Sequence, residues 1–127
     1  MSFNVEQHPS SRAVVVILQQ DFSMQTEYAE FRAQVRAALD EHSQPTTLIF
    51  EVRDASLTSK DLLVATDGDS QDLLRHPNIR ETIVVTEDML VQIAAKGVNS
   101  FSFGYIKVRT FPTLEAALAY AEESSIN

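Results

Sequence analysis

The chain has no cysteine, no tryptophan and only three glycines in 127 residues. Without cysteine there is no disulfide framework, no thiolate zinc site and no thiol nucleophile. With glycine only at 68, 97 and 104, neither a G-x-G-x-x-G dinucleotide turn nor a phosphate-binding P-loop can be written into the sequence. Basic residues are also scarce, 10 against 18 acidic, for a net charge of −8. That balance opposes binding to nucleic acid or to an anionic membrane, since the phosphates would be repelled. The longest apolar run, Ala13 to Leu18, is far too short to span a bilayer. The N-terminus lacks the basic-then-apolar layout of a secretory signal, so a cytoplasmic location without stable membrane insertion is expected.

What remains is the composition of an ordinary globular protein, 44% hydrophobic and 22% charged, of a length that suits one domain over 1–127. Phe3 to Gln7 alternates apolar and polar residues, as an edge strand does, and His8-Pro9-Ser10-Ser11 reads as a turn. Arg12 to Gln19 has an unbroken apolar centre and reads as a buried strand. Thr26 is placed to cap a helix running to about Glu41, with Tyr28, Phe31, Val35, Ala38 and Leu39 on one stripe. Thr47 to Val52 is a second strand covered on both faces. It passes into a polar loop, Arg53, Asp54, Ser56, Thr58 and Ser59, at which the next helix starts.

That helix, or pair of helices, continues to Pro77 around the polar middle Thr66 to Ser70. Arg80 to Thr86 is a strand, and Glu87-Asp88 open a helix with Met89, Leu90, Ile93, Ala94 and Val98 as its apolar positions. Ile106 to Thr110 alternates as an edge strand. Thr113 caps a last helix carrying Leu114, Ala117, Leu118 and Ala121, which frays from Glu122. The order is ββαβαβαβα. This predicts an α/β fold with a mainly parallel five-stranded sheet and an antiparallel hairpin at the start. Val15, Ile17, Phe31, Ile49, Phe50, Val84, Val85, Leu90 and Leu118 are expected to be nearly inaccessible.

The stretches LIFEVRDA (48–55), LLRHPNIRETIVVTEDMLVQIAAKGVNSFSFG (73–104) and VRTFPTLEAALAYAEE (108–123) resemble the STAS-like, or SpoIIAA-like, family, most closely its small stand-alone bacterial members. The resemblance covers nearly the whole chain. It implies a STAS architecture and a regulatory or ligand-binding role rather than catalysis. In anti-sigma-factor antagonists of that fold, a serine after the central strand, in an Asp-Ser-Ser-Gly setting, is phosphorylated by a partner kinase. The corresponding stretch here, Ser56-Leu57-Thr58-Ser59-Lys60-Asp61, has neither that aspartate nor that glycine. Similarity to lipid-binding Sec14-type relatives is looser.

In parallel α/β sheets, ligands and partners meet the loops after the strands, so Asp54, Ser56, Thr58, Ser59 and Lys60 form the candidate partner or ligand region. Ser59 at a helix start can either hold a phosphate or cap the helix by accepting from Asp61 or Leu62; the cap is expected. Asp21, Asp54, Glu87 and Asp88 also follow strands, but no histidine (8, 42 or 76) has metal-ligand spacing, and Asp67 to Asp72 fails as a calcium loop. Neither a metal nor a cofactor is expected, and no serine stands in a hydrolase elbow. Phe101, Phe103 and Tyr105 can line an apolar pocket or a dimer patch beside the edge strand, or tuck their loop against the last helix. The expectation is a non-enzymatic module with a protein partner, and as the alternative a carrier of a small apolar molecule such as a lipid.

Overall fold

Two strands with apolar centres, Ala13–Leu18 (β2) and Thr46–Glu51 (β3), lie side by side in the middle of a five-stranded sheet. A computed structural model describes residues 2–58, 60–61, 73–98 and 108–126. Strand β1, Phe3–His8, precedes them on one edge, and β4, Ile79–Val85, and β5, Val108–Phe111, follow on the other, in the order β1-β2-β3-β4-β5. Only β1–β2 is antiparallel; β2–β3, β3–β4 and β4–β5 are parallel, as the strand–helix alternation requires. The helices are α1, Met24–Asp40, α2, Met89–Val98, and α3, Leu114–Ile126. Residues 60–61 and 73–74 are helical ends of the β3–β4 crossover; whether it holds one helix or two lies outside the described residues. So do Ser59, Phe101, Phe103 and Tyr105.

Alternation along the strands divides the core between two faces. Val14, Val16, Leu18 and Leu48 pack with Phe3, Phe22, Phe31, Val35 and Leu39 beneath α1. There the rings of Phe3, Phe22 and Phe31 meet with centroids 5.5–5.8 Å apart. Val15, Ile49, Ile83 and Val85 face the other way, against α3. This helix seats its small residues on the sheet, with Ala117 and Ala121 fully buried and Leu114 and Leu118 packed at their sides. Polar bonds fix it there. Buried Glu81 accepts from Tyr120 Oη at 2.7 Å and from Arg109 Nε at 2.5 Å, and the Arg109 guanidinium lies 5.1 Å from the Tyr120 ring centroid.

The hairpin turn is a 3₁₀ turn, Pro9–Ser11, closed by Arg12 in the left-handed region at φ 49°. A non-glycine residue there costs about 1 kcal/mol. It turns the Arg12 carbonyl toward β3, where it accepts from Thr47 N–H at 3.0 Å and Thr46 Oγ1 at 2.5 Å. Those two bonds offset the backbone strain.

Several expectations are corrected. Helix α1 starts at Met24, not after Thr26, because the acceptor for its first amide comes from a distant residue, Asp61. Among the described side chains of α2, 89–96, Val91 and Ala95 are buried while Met89, Leu90 and Ile93 are exposed; that of Val98 lies outside the described residues. The stretch 89–95 is apolar except for Gln92, so periodicity could not select the inner face. Leu90 is therefore surface rather than core, and Ile17, Phe50, Val84 and Leu118 are half-buried. Helix α3 runs on through Glu122 to Ile126, since neither proline nor glycine follows Tyr120 to stop it.

Candidate functional site

The carboxyl ends of the parallel strands deliver the loop 52–58 and the start of α2 to one end of the sheet. Strand β3 finishes on Glu51, whose side chain is only 8% exposed. Arg53, two residues on, answers it fully. Its Nε lies 3.0 Å from both carboxylate oxygens, Nη2 lies 2.7 Å from Oε2, and its backbone N–H donates to Oε1 at 3.0 Å. A planar guanidinium suits this two-pronged grip. The bonds to Glu51 hold the Arg53 pKa above its ordinary value, burial opposes them, and the charges of Glu51, Glu87 and Asp54 add to them. One guanidinium thus stands among three carboxylates, Glu51, Asp54 and Glu87.

Val52 N–H donates to Val85 O and Ala55 N–H to Val52 O, which folds the chain into a tight turn beyond the ladder. Asp54, Ser56 and Thr58 emerge from it exposed, and exposed Lys60 follows in the first turn of the next helix. The cap of the following helix is Thr58. Its Oγ1 accepts from Asp61 N–H at 3.2 Å, and Asp61 Oδ2 accepts from Thr58 N–H at 2.9 Å and from Thr58 Oγ1 at 3.0 Å. This is a reciprocal capping box. The Asp61 amide, one of the two that the sequence offers to Ser59, is thus taken by Thr58, three residues before it; Ser59 and its other candidate partner, Leu62, lie outside the described residues.

Asp61 is 4% exposed and does more than close the box. Its other oxygen, Oδ1, accepts from Met24 N–H at 3.0 Å, the first amide of α1. One carboxylate therefore serves the amino ends of two helices, a placement that each helix dipole favours. At the same end of α1, Ser23 N–H donates to Glu27 Oε2 at 2.9 Å, and the Ser2 hydroxyl donates to Glu27 Oε1. These bonds, the Ser2 bond first, hold the Glu27 carboxyl below its ordinary range. The local signal for Asp61 is the spacing Thr58-x-x-Asp61, next to a competing cap candidate in Ser59. Its reach to Met24, 37 residues away, has no local signal.

Of the other carboxylates after strands, Asp88 has a structural duty. Asp88 Oδ1 caps α2 by accepting from Leu90 N–H at 2.8 Å, and Asp88 N–H donates to Thr86 Oγ1 at 3.0 Å. Asp21 is exposed in the turn after β2. No three His, Asp or Glu side chains among the described residues come together to hold a metal ion. The histidines lie at the opposite end of the sheet. His8 is 3.2 Å from Glu6 and His42 2.8 Å from Gln7. Buried His76 accepts from Asn78 N–H on Nδ1 at 3.1 Å, which leaves the proton on Nε2 for Asp40 at 2.7 Å. Asn78 in turn donates to the carbonyls of Leu39 and His42 at the end of α1, both at 2.9 Å.

Beside the acidic loop, α2 shows a surface of a different kind. Met89, Leu90 and Ile93 are exposed by 73, 45 and 58%. Large apolar side chains grouped in this way on a helix mark an interaction surface more often than chance exposure does.

No protein-family model matches the chain, and no curated protein sequence does. Among solved structures, it is similar to an uncharacterised protein of the DUF3478 family from Shewanella loihica PV-4, which has a SpoIIAA-like fold. The TM-score is 0.63 at 13% identity, over 94% of this chain and 91% of the other. The chain has the SpoIIAA-like fold that the sequence resemblance implied. No described helix is long and apolar enough to cross a membrane.

Proposed function

We propose that this chain of SpoIIAA-like fold is a non-enzymatic regulatory module of the cytoplasm, which binds a protein partner at the carboxyl end of its sheet. The contact surface comprises the exposed residues Asp54, Ser56, Thr58 and Lys60 and the outward face of α2. The two are neighbours, since they follow adjacent parallel strands, β3 and β4, whose ends are joined by Val52 N–H donating to Val85 O. The observation that carries this reading is the exposure of Met89, Leu90 and Ile93 on a helix whose other side is packed on the sheet. A carrier of a small apolar molecule would enclose its cargo, whereas these side chains face outward.

Partner binding here does not use phosphate on Thr58. Its hydroxyl and amide are both bonded to Asp61, and a dianion in that place would stand against a buried carboxylate. The test is site-specific photo-crosslinking in the native host, from p-benzoylphenylalanine placed at Ser56, at Ile93 or at Glu115 on α3. Discrete adducts from Ser56 and Ile93 and none from Glu115 are expected. Equal labelling from all three, or none from the first two, would refute the surface.

A further inference from the structure

Helix α2 is apolar on both sides. Val91 and Ala95 are buried inward, Met89, Leu90 and Ile93 stand outward, and up to Ala95 only Gln92 interrupts them. At positions i, i+1 and i+4, the outward three form one continuous patch over the first turns of the helix. A helix apolar all round is ordinarily covered all round.

The charges beside the patch specify what can cover it. Glu87 and Asp88 lie directly before it, and Asp54 is on the adjoining loop. Of the cations nearby, Arg53 is already gripped by Glu51, Lys60 stands beyond the Thr58 cap, and Lys96 lies in the last turn of α2, away from the carboxylates at its start. The carboxylates Asp54, Glu87 and Asp88 thus outnumber the two lysines. Among the described residues, Asp88 commits only Oδ1, to Leu90 N–H. A second copy of this chain would bring the same carboxylates face to face across a two-fold axis, on subunits of net charge −8. An anionic lipid surface would be repelled for the same reason.

Resting on the reading above, we infer that the partner element is a cationic amphipathic helix. Its apolar face packs on Met89, Leu90 and Ile93, and its Lys or Arg side chains reach Glu87, Asp88 and Asp54.

The protein contains no tryptophan, so a single tryptophan in a probe peptide reports binding without background. The probe is a Leu/Lys peptide of roughly 15 residues with leucines at helical spacing, compared with a Leu/Glu peptide of the same spacing. Saturable binding of one Leu/Lys peptide per chain is expected. Met89→Gln with Ile93→Gln should weaken it about tenfold or more. Glu87→Gln with Asp54→Asn should weaken it roughly three- to tenfold and flatten its salt dependence. Unchanged affinity in the Met89/Ile93 variant, or no saturation by ~100 µM, would overturn the inference. If the Leu/Glu peptide binds as well and the Met89/Ile93 variant loses both, the cationic assignment fails while the docking surface stands. Failure of the crosslinks from Ser56 and Ile93 would remove the surface itself.

Discussion

Replacing Asp61 by alanine removes the acceptor for Met24 N–H and Thr58 N–H together and opens the Thr58 capping box. The Met24 amide is buried, so losing its partner costs about 1–2 kcal/mol; the less buried Thr58 cap adds about 1–2 kcal/mol. Water entering the vacated space would recover part of this, and the expected total is about 2–4 kcal/mol. With an m-value of about 2 kcal/mol/M, the urea midpoint falls by roughly 1–2 M at constant slope. Asp61→Asn keeps one carbonyl oxygen but turns an NH₂ toward another N–H, so it recovers only one of the two caps and costs about 1–3 kcal/mol. Thr58→Ala alone costs about 0.5–2 kcal/mol, and combining it with Asp61→Ala should be less than additive by about 0.5–1 kcal/mol, since both act on one box. Urea unfolding followed by circular dichroism gives the midpoints, and amide exchange identifies the groups. Asp61→Ala should speed exchange at Met24 and Thr58 in particular. A midpoint shift under roughly 0.3 M, or wild-type exchange at both amides, would refute the shared cap.

The core assignment is checked by Ile49→Ala at the fully buried centre of β3, expected to cost about 2–5 kcal/mol in the same unfolding assay. The orientation of α2 is checked by a pair: Val91→Ala should cost about 1–3 kcal/mol, and Leu90→Ala, despite losing more apolar surface, under about 1 kcal/mol. Equal costs would mean that the helix is rotated. Arg53→Gln leaves the Glu51 carboxylate largely unanswered, and because Arg53 itself is 36% exposed the expected loss is moderate, about 1–3 kcal/mol. The Glu27 carboxyl is held below its ordinary 4.5 in the folded chain, so its bonds stabilise the fold above that pH and are lost as pH falls through the lowered value. Midpoints measured down that acid limb should fall less steeply for Glu27→Gln than for the native chain.

Where periodicity and chemistry are local, the sequence carried the answer. The apolar centres of β2 (Val14 to Leu18) and β3 (Leu48 to Phe50) mark strands covered on both faces, and strands alternating with helices leave a parallel sheet as the economical topology. Thr113 does cap α3, its Oγ1 accepting from Ala116 N–H at 3.1 Å, because a cap is a bond between residues three apart. The turn and polar stretch that end the central strand, Arg53 to Thr58, are legible for the same reason. Choices among locally equivalent options belong to the tertiary structure. Helix α2 offers apolar residues in nearly every direction, so only its seat on β4 and β5 determines that Val91 and Ala95 go inward and Met89, Leu90 and Ile93 outward. The start of α1 is fixed by Asp61, 37 positions along the chain, once β3 has carried that carboxylate to the amino end of the helix. A pattern in sequence records which bonds neighbours can make; which of two apolar faces is covered, and which distant carboxylate meets a free amide, depends on how the sheet brings the segments together.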